Sequence, residues 1–180
     1  MEKLNYKVLY SQEDILARVK ELGAQITKDY QNDDKDILCV CVLRGAVMFF
    51  ADLMKEIKID RVMFDFVTLS SYENAMYTSG SVKLIQDMRE KVEDRHVIVV
   101  EDIVDSGYTI DYLHKYFQSK NPIDVKVACL LDKPMTRKVP VKADYVAFTL
   151  ARPAFIIGYG LDCNQIYRNL DAIYEVVDND

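Results

Sequence analysis

Two adjacent carboxylates, Glu101 and Asp102, follow four β-branched apolar residues, Val97-Ile98-Val99-Val100, and precede Ile103-Val104-Asp105-Ser106-Gly107-Tyr108-Thr109. This run says more about function than any other part of the chain. The apolar half reads as a strand buried on both faces of a parallel sheet. Open α/β sheets bind ligands at the carboxyl ends of such strands. The Ser-Gly-Tyr-Thr turn brings backbone N–H groups, two small hydroxyls and, because Ile110 to Phe117 continues with helical spacing, a helix N-terminus. That combination cradles a phosphate. Glu101 and Asp102, just upstream, can accept hydrogen bonds from sugar hydroxyls. Anion binding and hydroxyl binding therefore lie side by side, as a ribose 5-phosphate requires. Acids beyond a buried strand often only cap the next helix, so the specificity lies in the thirteen-residue run and not in the Glu-Asp pair.

The elements that must hold this run are legible around it. Ser11 reads as the N-cap of a helix whose apolar face is Ile15, Leu16, Val19, Leu22 and Ile26, ending near Tyr30. A strand over Ile37 to Leu43, a turn at Arg44-Gly45 and an apolar helix over Ala46 to Lys58 form half of a βαβ unit. Strands are expected over Arg61 to Leu69, Val82 to Asp87, from His96, over Val125 to Leu131, over Tyr145 to Leu150 and over Phe155 to Leu161. The tail from Gln165 is expected to form a short helical turn and a final strand. Strands alternating with helices predict an α/β protein with a mostly parallel sheet.

Length and composition narrow the classes. At 180 residues the chain suits one domain with a substantial core. A net charge of −6 argues against a general nucleic-acid binder. No apolar run is long enough to span a bilayer, and Met1 to Tyr6 lacks the apolar core of a secretory signal, so a cytoplasmic protein is expected. The four cysteines, Cys39, Cys41, Cys129 and Cys163, lack zinc-site spacing and read as small buried hydrophobes. His96 and His114 are isolated and are given no role.

The run from Val97 to Thr109 closely resembles the phosphoribosyl pyrophosphate (PRPP) motif of the type I phosphoribosyltransferases, without departure from the family pattern. The whole chain, from about Lys7 to Val177, resembles the 6-oxopurine, or hypoxanthine-guanine, group of that family. The resemblance implies the type I phosphoribosyltransferase fold: a central parallel sheet flanked by helices, with a small hood from the N- and C-terminal segments. It implies transfer of a 5-phosphoribosyl group from PRPP to hypoxanthine or guanine, with release of pyrophosphate, in purine salvage. Magnesium is implied as cofactor and a homodimer or homotetramer as the assembly. Neither nucleic acid nor membrane is expected as a partner.

Residue by residue, the resemblance implies the following roles. Asp105, Ser106, Gly107, Tyr108 and Thr109 would hold the 5-phosphate, and Glu101 and Asp102 the ribose hydroxyls, directly or through magnesium. Asp105 matches the general base that takes the purine proton. Arg44 and Gly45 would bind pyrophosphate, with the Leu43-Arg44 bond often cis in the family, and Arg168 would join them. Ser71 and Tyr72 match the head of a mobile loop that closes over the sugar. Lys133 matches the donor to the 6-oxo group, Phe155 the aromatic that stacks on the purine, and the Ile156 backbone the contact to the purine edge. Asp162 matches a second magnesium site near pyrophosphate and the purine 2-position, and so joins the purine-binding residues as well. Two alternatives remain at this stage: an enzyme acting on xanthine, and a regulator that binds PRPP without catalysis.

Overall fold

The computed structural model describes residues 4–71 and 82–177. Its centre is a six-stranded sheet in the order β4-β3-β2-β5-β6-β7. Strands β2 (Ile37–Leu43), β5 (His96–Val104) and β6 (Asp124–Asp132) occupy the middle and are the most apolar runs of the chain. They pair in parallel with their neighbours β3 (Val62–Ser71) and β7 (Tyr145–Thr149). Only β4 (Val82–Gln86), at one edge, runs antiparallel. Alternate residues supply two cores. Cys39, Cys41, Ile98, Val100, Ala128 and Leu130 face helices α1 (Gln12–Tyr30) and α2 (Val47–Glu56). Leu38, Val40, Val97, Val99, Val127 and Cys129 face α3 (Tyr108–Gln118). Strands covered on both faces need no polar alternation, which is why they read as unbroken apolar runs.

The topology decides where a ligand can sit. After β2 the chain crosses through α2 to β3 on one side; after β5 it crosses through α3 to β6 on the other. The connections leave the adjacent β2 and β5 in opposite directions, so a crevice opens at their carboxyl ends. The Arg44-Gly45 turn and the Glu101 to Thr109 run leave the sheet at that crevice, and β6 delivers Lys133 to the same edge. At the opposite end of β5, His96 is buried with Nδ1 3.0 Å from Asp124 Oδ1 and Nε2 3.2 Å from Asp33 Oδ2, a structural position.

A second sheet, β1-β9-β8, is antiparallel and joins the two ends of the chain: β1 (Asn5–Tyr10), β8 (Ile156–Ile157) and β9 (Ile173–Val177). Ile156, Tyr159, Leu161 and Ile173 join the core cluster of α1 and α2. The Tyr159 hydroxyl donates to Asp52 Oδ2 of α2 at 2.7 Å, and burial together with that carboxylate pushes its pKa up.

Ser11 caps α1 through a reciprocal box with Asp14, as its spacing predicts. Three expectations are corrected. Residues Asn5–Tyr10 form an edge strand that the sequence reading leaves unassigned; its exposed, weakly alternating pattern gives little signal. The strand expected over Phe155 to Leu161 holds only for Ile156–Ile157, because Gly158, Tyr159 and Gly160 all take positive φ and turn the chain. The helical turn expected from Gln165 is absent: Asn164, Gln165 and Tyr167 all have positive φ, opposite in hand to a right-handed helix.

Cys39, Cys41 and Cys129 are buried, and burial pushes the first two thiols up to about 12 and the third higher. Only Cys163 is partly accessible. Since the thiolate is the reactive species, a disulfide reagent at mildly alkaline pH should titrate one thiol rapidly and the other three only on unfolding. A second fast thiol in the native protein would contradict the packing.

Candidate active site

The turn from β5 into α3 is built to hold an anion. Gly107 is the N-cap, with φ +92°, and α3 has no side-chain cap. Where Ser11 satisfies a first-turn amide of α1 with its own hydroxyl, the N-terminus of α3 leaves its amides for a ligand, at the positive end of the helix dipole. A Cβ at residue 107 would lie 2.8 Å from Val141 Cγ2 and 3.0 Å from the Val139 carbonyl, so the turn also needs glycine for its close backing. That backing is the segment after β6. The Ser106 carbonyl accepts from Lys138 N at 2.9 Å and Val139 N at 3.1 Å. Arg137 donates to the Asp105 carbonyl at 2.9 Å and the Val104 carbonyl at 3.1 Å, and pairs with Asp132. Asp105 is exposed, Ser106, Tyr108 and Thr109 are half-buried and Gly107 is buried.

Immediately upstream, Glu101 is buried and its Oε1 accepts from Asp102 N at 3.2 Å. Its Oε2 is buried without a protein partner among the described residues. Loss of hydration, then the neighbouring Asp102 carboxylate, hold the Glu101 pKa well above the usual carboxylate range. An unpartnered carboxylate oxygen beside a second carboxylate suits hydroxyl donors or a hard cation such as magnesium. Among the described residues no three His, Cys, Asp or Glu side chains gather into a metal cage. The donor set therefore fits a magnesium ion that takes one or two carboxylates and completes its shell with water and substrate phosphates.

Asp102 also meets the turn after β2. A Cβ on Gly45 would collide with Asp102 Oδ2, and a Cβ on Gly160 (φ +98°) would collide with the Gly45 carbonyl. Glycine at both positions lets three backbone segments close on one another. The Leu43-Arg44 bond is cis, as the resemblance implies. The Arg44 side chain is exposed and donates to Gln165 Oε1 at 3.3 Å; Arg168 donates to the same oxygen at 3.0 Å. Arg168 also donates to the Gly160 carbonyl at 2.7 Å and pairs with Asp162 Oδ1 at 2.7 Å. Asp162 Oδ2 accepts from Gln165 N at 2.8 Å.

Lys133 Nζ donates to the Ala154 carbonyl at 3.0 Å, which brings the lysine beside Phe155. Phe155 is 53% exposed, a large aromatic face left open. Its carbonyl accepts from Val176 N at 2.9 Å. The Ile156 side chain lies in the core, so only its backbone is available to a ligand. Ser71 is the last residue of β3, opposite Val82, and Tyr72 lies outside the described residues.

Sequence reasoning missed Gln165 and Arg137. Gln165 follows Asp162 by three residues, but its positive φ and its arginine partners carry no short-range signal. The phosphate-turn carbonyls that Arg137 binds, those of Val104 and Asp105, lie more than thirty residues upstream.

Gly45→Ala should overpack the turn at a cost of about 2 kcal/mol and lower Tm by roughly 5 °C; an unchanged Tm would contradict the contact with Asp102. Because the folded Glu101 pKa is raised, the folded state holds that proton more tightly than the unfolded state. Stability should therefore fall as pH climbs from the ordinary carboxylate value of 4.5 through the raised one. Glu101→Gln should gain Tm relative to the wild type as pH climbs above the ordinary carboxylate value; a difference that stays constant with pH would contradict the buried charge.

Residues 5–164 match the phosphoribosyl transferase domain. The hypoxanthine-guanine phosphoribosyltransferase of Streptococcus thermophilus (strain CNRZ 1066) is 46% identical over 173 residues, covering 96% of this chain and 94% of that protein. A crystal structure of a hypoxanthine-guanine phosphoribosyltransferase from Bacillus anthracis superposes with a TM-score of 0.88 at 43% identity, covering 98% of this chain and all of that one. A hypoxanthine phosphoribosyltransferase structure from Staphylococcus aureus gives 0.89 at 38% identity, covering 97% and 92%. A sheet whose switch point opens between β2 and β5, an uncapped helix N-terminus beyond paired acids, and these matches along nearly the whole length have one reading: the chain belongs to the phosphoribosyl transferase family.

Proposed function

We propose that the protein transfers the 5-phosphoribosyl group of PRPP to hypoxanthine or guanine, forming IMP or GMP and pyrophosphate. One observation carries the choice of base. Lys133 is held 3.0 Å from the Ala154 carbonyl, next to the open face of Phe155, at the same sheet edge as the anion-binding turn. A regulator that only senses PRPP has no use for an ammonium group beside an exposed aromatic ring.

In this reading the amides and hydroxyls of Ser106 to Thr109 hold the 5-phosphate, and Glu101 and Asp102 accept from the ribose hydroxyls. Phe155 stacks on the purine. Lys133, with one N–H spent on Ala154, keeps two donors for the 6-oxo oxygen; a 6-amino group would oppose them and leave the ammonium unpaired. The Ile156 backbone meets the purine edge. As the purine nitrogen bonds to the anomeric carbon and pyrophosphate departs, Asp105 accepts the purine N–H proton. Arg44, the Gly45 turn and Arg168 hold pyrophosphate. Glu101, Asp102 and Asp162 would hold magnesium, which would supply positive charge against the leaving pyrophosphate. Ser71 and Tyr72 are assigned to loop closure over the sugar by the resemblance alone.

The reading extends to the whole chain as one domain, with β1, β9 and β8 as the hood. It places the protein in the cytoplasm as a homodimer or homotetramer. The described residues contain no helix long and apolar enough to cross a membrane.

The test is nucleotide formation from PRPP and magnesium with hypoxanthine, guanine, xanthine and adenine supplied separately. Turnover of hypoxanthine and guanine but not adenine is expected; PRPP binding without turnover of any base would favour the regulator. Lys133→Ala should erode the preference for 6-oxopurines over adenine by roughly a hundredfold. An unchanged preference would remove Lys133 from the base site.

A further inference from the structure

The loop between β7 and β8 carries the Ala154 carbonyl and Phe155, and beyond Leu150 it is pinned at three points. Two have been described: Lys133 on the Ala154 carbonyl and Val176 N on the Phe155 carbonyl. The third is a two-pronged ion pair. Arg152 Nη2 donates to Glu175 Oε2 at 2.7 Å, and Arg152 Nη1 to Glu175 Oε1. Glu175 is 8% exposed, in the middle strand of the hood sheet. It pairs in register with Ile156 on one side and Lys7 on the other, and Lys7 Nζ lies 3.6 Å from its carboxylate.

The position of this pair matters more than its strength. Arg152 is half exposed, and exposed ion pairs contribute little to stability. A planar guanidinium on both oxygens of one carboxylate, however, fixes direction as well as distance. Arg152 precedes Phe155 by three residues, and Glu175 stands directly across from Ile156. The fork therefore ties the approach to the base-stacking residue to the strand that supports the purine-edge backbone. Without it the chain between Leu150, whose N–H donates to the Asp132 carbonyl at 2.9 Å, and Ala154 would have no side-chain anchor. Arg152-Pro153-Ala154 is exposed or half-buried and has no regular secondary structure, so its course rests on the fork and on the Lys133 bond to Ala154.

We propose that Arg152 and Glu175 are positioning residues for the purine: their fork sets where Phe155 and the Ala154-bound Lys133 stand, and so governs affinity for the base and not for PRPP. The inference rests on the functional reading above. Neither residue touches the reacting atoms. Both act through the loop.

The experiment is steady-state kinetics on the full chain, varying hypoxanthine or guanine at saturating PRPP and then PRPP at saturating base. Arg152→Ala should raise the purine KM roughly tenfold while the KM for PRPP stays within about twofold. Arg152→Lys, which keeps the charge but not the fork, should fall between. Arg152→Ala strands the Glu175 carboxylate beside Lys7 alone, so a general loss of stability must be separated from loss of position. The double variant Arg152→Ala/Glu175→Val leaves no stranded charge and should recover the Tm lost in the single variant while keeping the raised purine KM. A purine KM that returns to the wild-type value in the double variant, or KM values for both substrates that rise together, would overturn the inference. An inactive wild type would overturn the functional reading and the inference with it. An active wild type with an unchanged purine KM in Arg152→Ala would overturn the inference alone.

Discussion

The contact between Gly45 and the Asp102 carboxylate is the constraint from which the rest of the site follows. Gly160 stacks against the other side of the same turn, against the Gly45 carbonyl. These contacts join three segments far apart in sequence: the turn after β2, the acidic end of β5 and the loop between β8 and β9. None of them can approach so closely with a Cβ in the way. Glycine here serves proximity more than flexibility. In the proposed reading it lets groups with opposite tasks, acids for the sugar and arginines for the leaving group, stand close together. Effective catalysis of a displacement depends on such placement.

The electrostatics follow from that crowding. The protein is acidic overall, and its most buried charges at the site are also acidic. Glu101 sits without a partner for one oxygen and with its pKa raised, chiefly by lost hydration. Such a group is costly to hold in the free protein and becomes favourable only when donors or a cation arrive. On the other side, Arg44 and Arg168 would repel one another, and a neutral amide oxygen from Gln165 sits between them. The free protein thus holds both halves of its charge apart, with one Glu101 oxygen unpartnered among the described residues and the two arginines on the Gln165 amide oxygen. In the proposed reading, PRPP would bring hydroxyls to the acids and pyrophosphate to the arginines.

Much of this was legible in the sequence, for identifiable reasons. The central strands are covered on both faces, so their apolar runs stand out, and Ser11 with Asp14 announces the first helix. The acid pair and the Ser-Gly-Tyr-Thr turn fall in one short segment, so the sugar and phosphate recognition proposed for them could be read together. The hood was harder. Asn5–Tyr10 is an exposed edge strand with weak alternation, and the segment from Gly158 to Tyr167 turns through a series of positive φ values, several on residues other than glycine. Tertiary contacts hold those angles: Tyr159 on Asp52, Arg168 on Gly160, Asp162 on the Gln165 N–H. Arg137, Gln165 and the Arg152–Glu175 fork escaped notice because their partners are distant in sequence or carry no motif.

The central claim is that the turn from β5 into α3, with the acid pair behind it, receives the ribose 5-phosphate. A crystal structure of the protein with IMP tests it most directly. The account predicts the phosphate on the amides and hydroxyls of Ser106 to Thr109, the ribose hydroxyls toward Glu101 and Asp102, and the purine between Phe155 and Lys133. A phosphate bound instead by Arg44 and Arg168, with the α3 N-terminus left to solvent, would contradict it.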